Sequence, residues 1–393
     1  MIEKYDWGVS RRRDEYTCHL VDPFTLQETG ETIQLEEGNG QVTWGWDTEN
    51  GYSGSVRTIN AVTRNKLVRI KHTVTIPTSE GRKSTTQTLG TFFIDDTPAS
   101  ALYGRVSRDL SLYSTMWRFT QDVLARDFTR AKGKNVVQAI RDIVEVEGGQ
   151  LIVASGVNTA KNFGNDIWFE VAQNRAETMR KIASWINCIV YADADGYIVL
   201  EPYLTPNEKA PVYTFEAGLN CTYVAGIEIS DTSANAYNRV VAWWSRSSVP
   251  KTARKDEDGK YVKDENGETI YDYDDPYGLS DYIYVDLPYY HAFSYENIGR
   301  RKTYVMRVSE ACSNAELKSQ ATTFLWDNCG NTRYYEIKHV SIPGLKVGDI
   351  VYYMNPNDYS EPIDAKCMVE EISMTLGLGG MCRTKLKEVV DNE

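Results

Sequence analysis

The sequence predicts a mainly β protein with α+β insertions. Three observations support this prediction: short segments rich in valine, threonine, isoleucine and aromatic residues, polar turns between them, and a switch to helical periodicity near the middle of the chain. The 26 Tyr and 9 Trp agree with it, because these side chains favour strands and half-exposed contact surfaces. A chain of 393 residues exceeds one ordinary hydrophobic core, so more than one domain is expected.

Residues 1–114 are predicted to form a first β-barrel-like domain. Polar turns are expected at residues 37–40 and 49–51. His72 lies on the apolar face of the predicted strand 67–76. This position indicates a hydrogen-bonded core histidine in preference to a metal ligand. The predicted strand segments are residues 16–21, 32–35, 41–46 and 67–76.

Residues 115–205 are predicted to form a small α/β module between two barrels. One helix carries an apolar stripe over residues 136–144 and ends at the glycine pair that follows. A second helix begins at Asn174, whose side chain is expected to cap it, with a glutamate three residues later completing a capping box. The stretch 188–202 then reads as a hairpin with a tight Asp-Gly turn.

Strands return in residues 206–312, which are predicted to be the first part of a second β-barrel domain. Residues 313–393 are predicted to add a helix, beginning at Ser313, and the closing strands of that barrel. Residues 250–280 are expected to protrude as a charged hairpin or arm, because a near-repeat there contains Asp-Gly and Asn-Gly turns. The strand segments are residues 223–229, 239–244, 282–285, 334–342, 348–354, 367–376 and 382–389.

The charge of the chain argues against a protein that grips nucleic acid through a broad basic surface. The formal net charge is −12 and the pI is near 5.0. Two basic clusters, at residues 11–13 and 300–302, are interpreted as solvated strand edges or partner contacts.

The cysteines and the apolar segments indicate folding in a cytoplasm. The seven cysteines have no CxxC spacing and are expected to be reduced and mostly buried. The N-terminus lacks the apolar stretch of a signal peptide, and no window approaches the ~18 apolar residues of a membrane helix. No stable membrane association is expected.

No catalytic, cofactor-binding or metal-binding residue is predicted. A calcium loop starting at Asp193 would need glycine at its sixth position and glutamate at its twelfth, where Ile198 and Leu204 stand. A loop starting at Asp256 fails in the same way, so solvated hairpin turns explain the acidic arm better than a structural calcium ion. The histidines are dispersed, and no GxSxG, phosphate-loop or HExxH motif is present. The chain is therefore predicted not to be an enzyme and to need no cofactor.

Two segments resemble the baseplate hub and tail-tip proteins of tailed bacteriophages and related contractile injection systems. Residues 179–202 are similar to the helix of that family and its hairpin with an Asp-Gly turn and an acidic-Pro exit. Residues 342–353 and 367–386 are similar to its closing barrel strands, where a Gly-Asp turn precedes a strand and a long final hairpin. The order β, α/β, β, helix, β agrees with the family over most of the chain.

The resemblance implies two related barrels that alternate around a three-fold axis, so that a homotrimer matches a six-fold tail tube. It implies a structural hub of a virion tail, assembled in the host cytoplasm. Such a hub joins the tail tube or distal tail protein to a spike, fibre or tape-measure protein. It also forms part of the DNA-ejection channel, which DNA only passes through.

Two alternatives stay open. The first is a receptor- or carbohydrate-binding tail protein in which Trp243 and Trp244, or Tyr289 and Tyr290, stack on sugars. The simpler interpretation of each pair is two neighbours that point to opposite faces of a strand. The second alternative is a tail-tip peptidoglycan hydrolase.

Overall fold

The structure is a computed structural model in which strands dominate, so the prediction of a mainly β protein is confirmed. In the described part of the chain there are 24 strands and five helices. The described residues are 2, 7, 9, 11–46, 51–59, 66–95, 99–102, 105–164, 166–217, 221–224, 226–232, 237–244, 251–256, 259–263, 269–273, 283–291, 293–308, 314–329, 332–356, 362–377 and 379–389.

Eight strands precede the first helix. They are β1 (Arg13–Val21), β2 (Glu28–Ile33), β3 (Leu35–Gly45), β4 (Tyr52–Thr58), β5 (Leu67–Thr78), β6 (Gly81–Ile94), β7 (Ala99–Leu102) and β8 (Arg105–Ser114). The predicted turn at residues 37–40 is wrong, because this stretch lies inside β3. The register of β3 with β4 shifts between Leu35 and Gly40, and Gly38 (φ 77°) supplies the left-handed conformation of the resulting bulge.

The middle of the chain alternates helices and short strands. The elements are α1 (Trp117–Thr120), β9 (Phe128–Arg130), α2 (Val136–Val146), β10 (Leu151–Val153), β11 (Ile167–Phe169), α3 (Arg175–Ser184), β12 (Cys188–Ala192) and β13 (Ile198–Pro202). Asn174 caps α3 as predicted, because its side chain accepts the backbone N–H of Glu177 at 3.0 Å. The predicted hairpin is β12–β13, and Gly196 (φ 93°) adopts the left-handed conformation in its turn.

The remainder of the chain is again mostly strands. The elements are β14 (Tyr213–Glu216), β15 (Glu228–Thr232), β16 (Arg239–Trp244), β17 (Lys251–Ala253), β18 (Tyr271–Tyr273), β19 (Ile283–Asp286), α4 (Tyr295–Ile298), β20 (Thr303–Val308), α5 (Asn314–Asp327), β21 (Thr332–Val340), β22 (Ile350–Asn355), β23 (Ile363–Thr375) and β24 (Met381–Glu388). The predicted helix cap Ser313 lies outside the described residues. So do the predicted Asn-Gly turn of the arm, at residues 266–267, and the predicted turn at residues 49–51 except for Gly51.

A fourteen-stranded sheet joins the two ends of the chain. Its main path runs β15-β21-β24-β23-β3-β4-β8-β6-β5-β1-β2. The link between the ends is the antiparallel pair β3–β23, in which Trp44 faces Ile372 and Val42 faces Met374. Closure into two barrels and the boundaries after residues 114, 205 and 312 stay a prediction.

One hydrophobic core lies under this sheet and continues into the α/β module. Phe92, Leu112 and Val369 are fully buried in it, together with Ile140 of α2. Five of the six described cysteines are buried, and none is in a disulfide, whereas Cys312 lies outside the described residues.

A second, separate core lies between α5 and a three-stranded sheet of order β19-β16-β20. Leu317, Ala321 and Leu325 of α5 pack against Val240 and Ala242 of β16. These three strands lie within residues 206–312, the predicted first part of the second barrel, and they form a sheet separate from the fourteen-stranded one.

The predicted arm contains paired strands in its described part. β17 pairs antiparallel with β18, and residue pairs Lys255–Tyr261 and Lys263–Thr269 form isolated bridges. Gly259 (φ 80°) turns the chain where the Asp256 carboxylate accepts the Lys260 N–H at 2.8 Å.

Candidate functional site

The large sheet exposes one polar face that runs across seven strands. In β3 the side chain of Val42 is buried, whereas its neighbours Gln41 and Thr43 reach the surface. We call this face the polar wall. Its members on β8, β4, β3, β23, β24, β21 and β15 include Asp109, Ser111, Arg57, Ser55, Ser53, Gln41, Thr43, Thr375, Ser373, Glu371, Arg383, Lys385, Lys338, Glu336, Ser230 and Glu228.

Small hydroxyl side chains occupy the centre of the polar wall. The strand register places Thr43 between Ser53 and Ser373, and its Oγ1 lies 3.1 Å from Ser373 Oγ. Gln41 donates its side-chain amide to the same serine. Short side chains that satisfy one another make this centre flat, whereas Tyr113, Tyr334 and Met381 stand on the same face around it.

Charged side chains flank the hydroxyl centre, and Arg57, Arg383 and Lys385 each lie near a carboxylate. Arg57 Nε donates to Asp109 Oδ1 at 2.7 Å, and this hydrogen bond lowers the pKa of Asp109. Arg383 pairs with Glu336 and lies 3.4 Å from Glu228, while Lys385 Nζ lies 2.7 Å from Glu370 Oε2. A surface of paired charges attracts a passing polyanion much less than a stripe of unpaired cations does.

Behind the polar wall, a buried charged cluster joins the N-terminal strands to the C-terminal part of the chain. The Arg12 and Asp14 side chains are 5% and 0% exposed, and Arg12 Nη2 donates to Asp14 Oδ1 at 2.7 Å. Arg12 also donates to the Ser341 carbonyl at 2.8 Å and to its hydroxyl at 2.7 Å. We call this cluster the joint. The interpretation of residues 11–13 as a solvated edge is therefore wrong for Arg12, which needs buried acceptors for its guanidinium.

His72 completes the joint. Gln87 Oε1 accepts the Gly344 N–H at 3.0 Å, so its amide nitrogen faces His72 Nδ1 at 3.4 Å. His72 Nδ1 is thus an acceptor, and Nε2 carries the proton toward Asp14 Oδ1 at 2.7 Å. This geometry agrees with the predicted hydrogen-bonded core histidine.

Burial and hydrogen bonding act in opposite directions on the ionisable groups of the joint. Burial raises the pKa of Asp14, but hydrogen bonds from His72 and Arg12 outweigh it, so the net pKa is lowered. Burial also lowers the pKa of His72 and outweighs its hydrogen bond to Asp14. Asp14 is therefore a carboxylate and His72 a neutral imidazole in the joint.

The β12–β13 turn, which starts at Asp193, is hydrogen-bonded to side chains of the large sheet. Tyr52 OH donates to the Asp193 carbonyl at 2.8 Å, Thr91 Oγ1 to Ala194 O at 2.9 Å and Arg69 Nη2 to Asp195 O at 2.7 Å. These carbonyls are satisfied by protein donors. Among the described residues, no group of three or more His, Cys, Asp or Glu side chains is placed to hold a metal ion.

Two further histidines, His339 and His291, are held by hydrogen bonds within the fold. His339 is buried, donates Nδ1–H to the Val340 carbonyl and accepts from Thr384 at Nε2, both at 2.7 Å. His291 Nδ1 accepts the Phe293 N–H at 3.2 Å, so Nε2 carries the proton that faces Cys329 Sγ at 3.6 Å. An imidazole with that nitrogen protonated does not take a proton from the thiol.

The aromatic pairs differ from the simpler interpretation given above. Tyr289 and Tyr290 lie in a turn after β19, where both rings are strongly exposed and meet edge to face at 5.6 Å. The prediction that they point to opposite faces of a strand is wrong. Trp243 is half-buried on β16 with Arg307 over its ring at 4.4 Å, and the Trp244 side chain lies outside the described residues.

The polar wall is only partly visible in the sequence. The alternation of Gln41, Thr43, Ser53 and Ser55 with apolar neighbours is visible in the sequence. Its extension to Ser373 depends on a pairing between strands that are more than 300 residues apart.

Solved structures with the same fold include tail proteins and a chain of the Francisella PdpA–VgrG complex. The tail protein from Neisseria meningitidis MC58 is 13% identical, with a TM-score of 0.62 over 95% of this chain and 96% of that chain. The prophage MuSo2 43 kDa tail protein from Shewanella oneidensis is 12% identical, with a TM-score of 0.57 over 94% and 97%. A chain of the lidded Francisella PdpA–VgrG complex is 8% identical, with a TM-score of 0.53 over 96% and 53%.

By sequence, no family model and no curated protein matches the chain. The fold is that of phage-type tail proteins. The resemblance to tail-hub and tail-tip proteins is confirmed at the level of the fold. None of the helices in the described residues has both the length and the apolar composition of a membrane span.

Proposed function

We propose that the chain is a structural, non-enzymatic component of a phage-type tail tip. In this proposal, three copies form a closed ring that joins the tail tube or distal tail protein to a spike or fibre. The polar wall lines the channel, and DNA passes through without being held. The protein then belongs to the virion tail and acts through contacts with its own copies and with neighbouring tail components.

The polar wall is the observation that carries this proposal. It extends over seven hydrogen-bonded strands drawn from the N-terminal and C-terminal parts of the sequence, from β15 at one edge of the sheet to β8, after which the sheet continues through β6, β5 and β1 to β2. A face of this width, with small hydroxyls at its centre and carboxylates beside Arg57 and Arg383, suits a channel wall because its centre offers DNA neither apolar steps nor a stripe of cations. The two strands at the ends of the sheet path, β15 and β2, are different, which favours a head-to-tail ring.

The test is the oligomeric state and shape of the purified chain. Mass photometry is expected to show a species three times the chain mass of 44.6 kDa. Cryo-EM is expected to show a central channel with Thr43 and Ser373 on its surface. A stable monomer at micromolar concentration, or a ring with the polar wall on its outside, would contradict the proposal.

One observation favours a second candidate, the carbohydrate-binding tail protein. The exposed pair Tyr289 and Tyr290 has the ring surface that sugars stack on. A glycan array with the intact chain tests it, and loss of bound glycan in a Tyr289→Ala/Tyr290→Ala variant would support it. Clearing of cell-wall suspensions would instead support the hydrolase.

A further inference from the structure

The tyrosine pair 289–290 and the basic cluster 300–302 both lie outside the polar wall. They belong to one loop, the connection between β19 and β20. Tyr289 and Tyr290 are 74% and 64% exposed, and Tyr289 is the most exposed large apolar side chain of the described residues. The exposed Arg300 and Arg301 belong to the same connection, and Arg301 lies 4.3 Å from the ring centroid of Tyr295. We call this loop, residues 287–291 and 293–302, the knob.

Hydrogen bonds to the backbone hold the knob in shape. Ser294, which is fully buried, donates its hydroxyl to the Tyr289 carbonyl at 3.1 Å. Asn297 donates its side-chain amide to the same carbonyl at 3.2 Å and to the His291 carbonyl at 2.8 Å. A loop ordered in advance loses little conformational entropy when its tyrosines bind a partner.

The same chain has a large cleft between the β12–β13 hairpin and residues 341–349. Its volume is about 1050 Å³, and none of the knob residues lines it. Trp44, Trp46, Tyr52 and Ile189 supply aromatic and apolar surface to its walls. A cleft of this size and lining accepts several aromatic side chains.

Carboxylates outnumber cations in the cleft. The carboxylates are Asp193, Asp195, Glu201 and Asp349, and the cations are Arg180, Lys209 and Lys346. Lys209 and Asp195 are already engaged. Lys209 Nζ donates to the Gly348 carbonyl at 3.0 Å and lies over the Trp46 ring, while Asp195 Oδ1 lies 3.7 Å from Arg69 Nε. Burial raises the pKa of Asp193 and of Asp349, so a cation beside either carboxylate would stabilise its charged form. An incoming guanidinium would improve their solvation.

We propose that the knob of one copy inserts into the cleft of a second copy, with its tyrosines against the aromatic wall and Arg300 and Arg301 near the carboxylates. This proposal rests on the ring proposed above and names one of its contacts. Two tyrosines bury about 150–250 Å² each, roughly half of the ~800 Å² that each partner contributes to a standard interface. Tyrosine and arginine are also the residue types that dominate binding energy at protein interfaces.

The shape of the knob favours a protein partner over a glycan. Glycans and other small ligands bind in concave sites with converging polar groups, whereas these tyrosines project from a convex turn. Because knob and cleft are different surfaces of one chain, the contact is heterologous, and repeated heterologous contacts close into a ring or extend as a filament.

Paired variants of the full chain test the contact. Tyr289→Ala/Tyr290→Ala is expected to raise the dissociation constant of the assembly roughly 30-fold, because it removes two central aromatic contacts. Arg300→Glu/Arg301→Glu is expected to weaken assembly similarly and to reduce its sensitivity to salt. Tyr261→Ala is the matched control, since this tyrosine is 58% exposed on the arm and is expected to leave assembly unchanged. Mass photometry across a dilution series provides the readout, and circular dichroism verifies that each variant folds.

A photo-crosslinking amino acid at position 290 locates the partner surface directly. The expected products are crosslinks between copies that map to residues 188–195 or 341–349. An intact assembly in both variants, or crosslinks to other surfaces, would overturn this contact and leave the ring in place. A wild-type chain that stays monomeric at every concentration would overturn the ring and the contact together. Glycan binding lost in the tyrosine variant, with assembly unchanged, would assign the tyrosines to a sugar and overturn the contact.

Discussion

Asp14 and His72 meet in the protein interior, with both side chains shielded from solvent and 2.7 Å between Asp14 Oδ1 and His72 Nε2. The same carboxylate holds Arg12, which reaches Ser341 on the far side of the joint. Because the joint connects β1 and β5 to the segment after β21, it couples the stability of the two ends of the chain.

Removal of the Asp14 carboxylate is expected to cost far more than removal of an exposed neighbour. Asp14→Ala leaves the buried Arg12 guanidinium without its anion, and such a change typically costs about 3–5 kcal/mol. Glu15→Ala is the control, because Glu15 and Arg13 form an exposed pair that is worth less than about 1 kcal/mol. Urea unfolding of the three proteins measures the difference. Equal losses of unfolding free energy in the two variants would show that the joint stabilises the protein no more than an exposed ion pair does.

The buried His339 is expected to make stability depend on pH. Burial lowers its pKa from 6.5 to about 4 in the folded state, so protonation favours the unfolded chain. Its contribution is fully present above pH ~6.5 and is lost progressively as the pH falls toward ~4, on the order of 3 kcal/mol in total. Unfolding free energies at pH 7 and pH 4.5 should therefore differ less in His339→Gln than in the wild type.

The exposed Val146 provides the control for that comparison. It is 69% exposed at the end of α2 and carries no ionisable group. Val146→Ala is expected to keep the wild-type difference between pH 7 and pH 4.5. A variant at position 339 with the full wild-type pH dependence would contradict the assignment to His339.

New cations on the polar wall are expected to make the protein retain DNA. Ser55 and Thr375 both face Gln41 in adjacent strands, so Ser55→Arg/Thr375→Arg places two unpaired charges in one row. At low salt we expect DNA affinity to rise roughly tenfold or more, with a steep salt dependence. Fluorescence anisotropy with duplex DNA measures it. Thr159→Arg/Ala160→Arg adds the same charge to an exposed turn of the α/β module, and equal retention there would argue against a special role of the wall.

Gly348 is expected to tolerate a side chain poorly. Its φ is 83°, and a Cβ at this position would lie 2.6 Å from Trp46 Cε3 in the cleft wall. Gly133 has a similar φ of 81° but nothing within 4 Å of the added carbon. Gly133→Ala isolates the backbone strain of about 1–2 kcal/mol, and Gly348→Ala adds the steric conflict. The melting temperature of Gly348→Ala is expected to be clearly lower than that of Gly133→Ala. Equal melting temperatures would show that the Trp46 ring shifts to accommodate the new Cβ without cost.

Local patterns in the sequence predicted local structure well. The Asn174 cap and the β12–β13 hairpin each depend on residues within a few positions of one another, and both are present. The burial of His72 followed from its position on an apolar strand face. The identity of its partners did not follow, because Gly344 and Ser341 approach from a distant part of the chain.

The misassigned tyrosine pair shows a different limit. The simpler interpretation puts Tyr289 and Tyr290 on opposite faces of a strand, but Pro288 directly precedes them and the chain turns there. A proline donates no backbone hydrogen bond to a strand ladder. That residue was the available signal for a turn that presents both rings to solvent.

The pairing of β3 with β23 also has a kinetic consequence. During synthesis, β3 emerges more than 300 residues before β23, so the edge of β3 that pairs with β23 stays unpaired until β23 has been made. Contacts of such high sequence separation slow folding, and an open strand edge is a template for mispairing with other chains. The β3–β23 pairing therefore closes the large sheet late in synthesis, and until then the open edge of β3 is the place where mispairing with another chain would start.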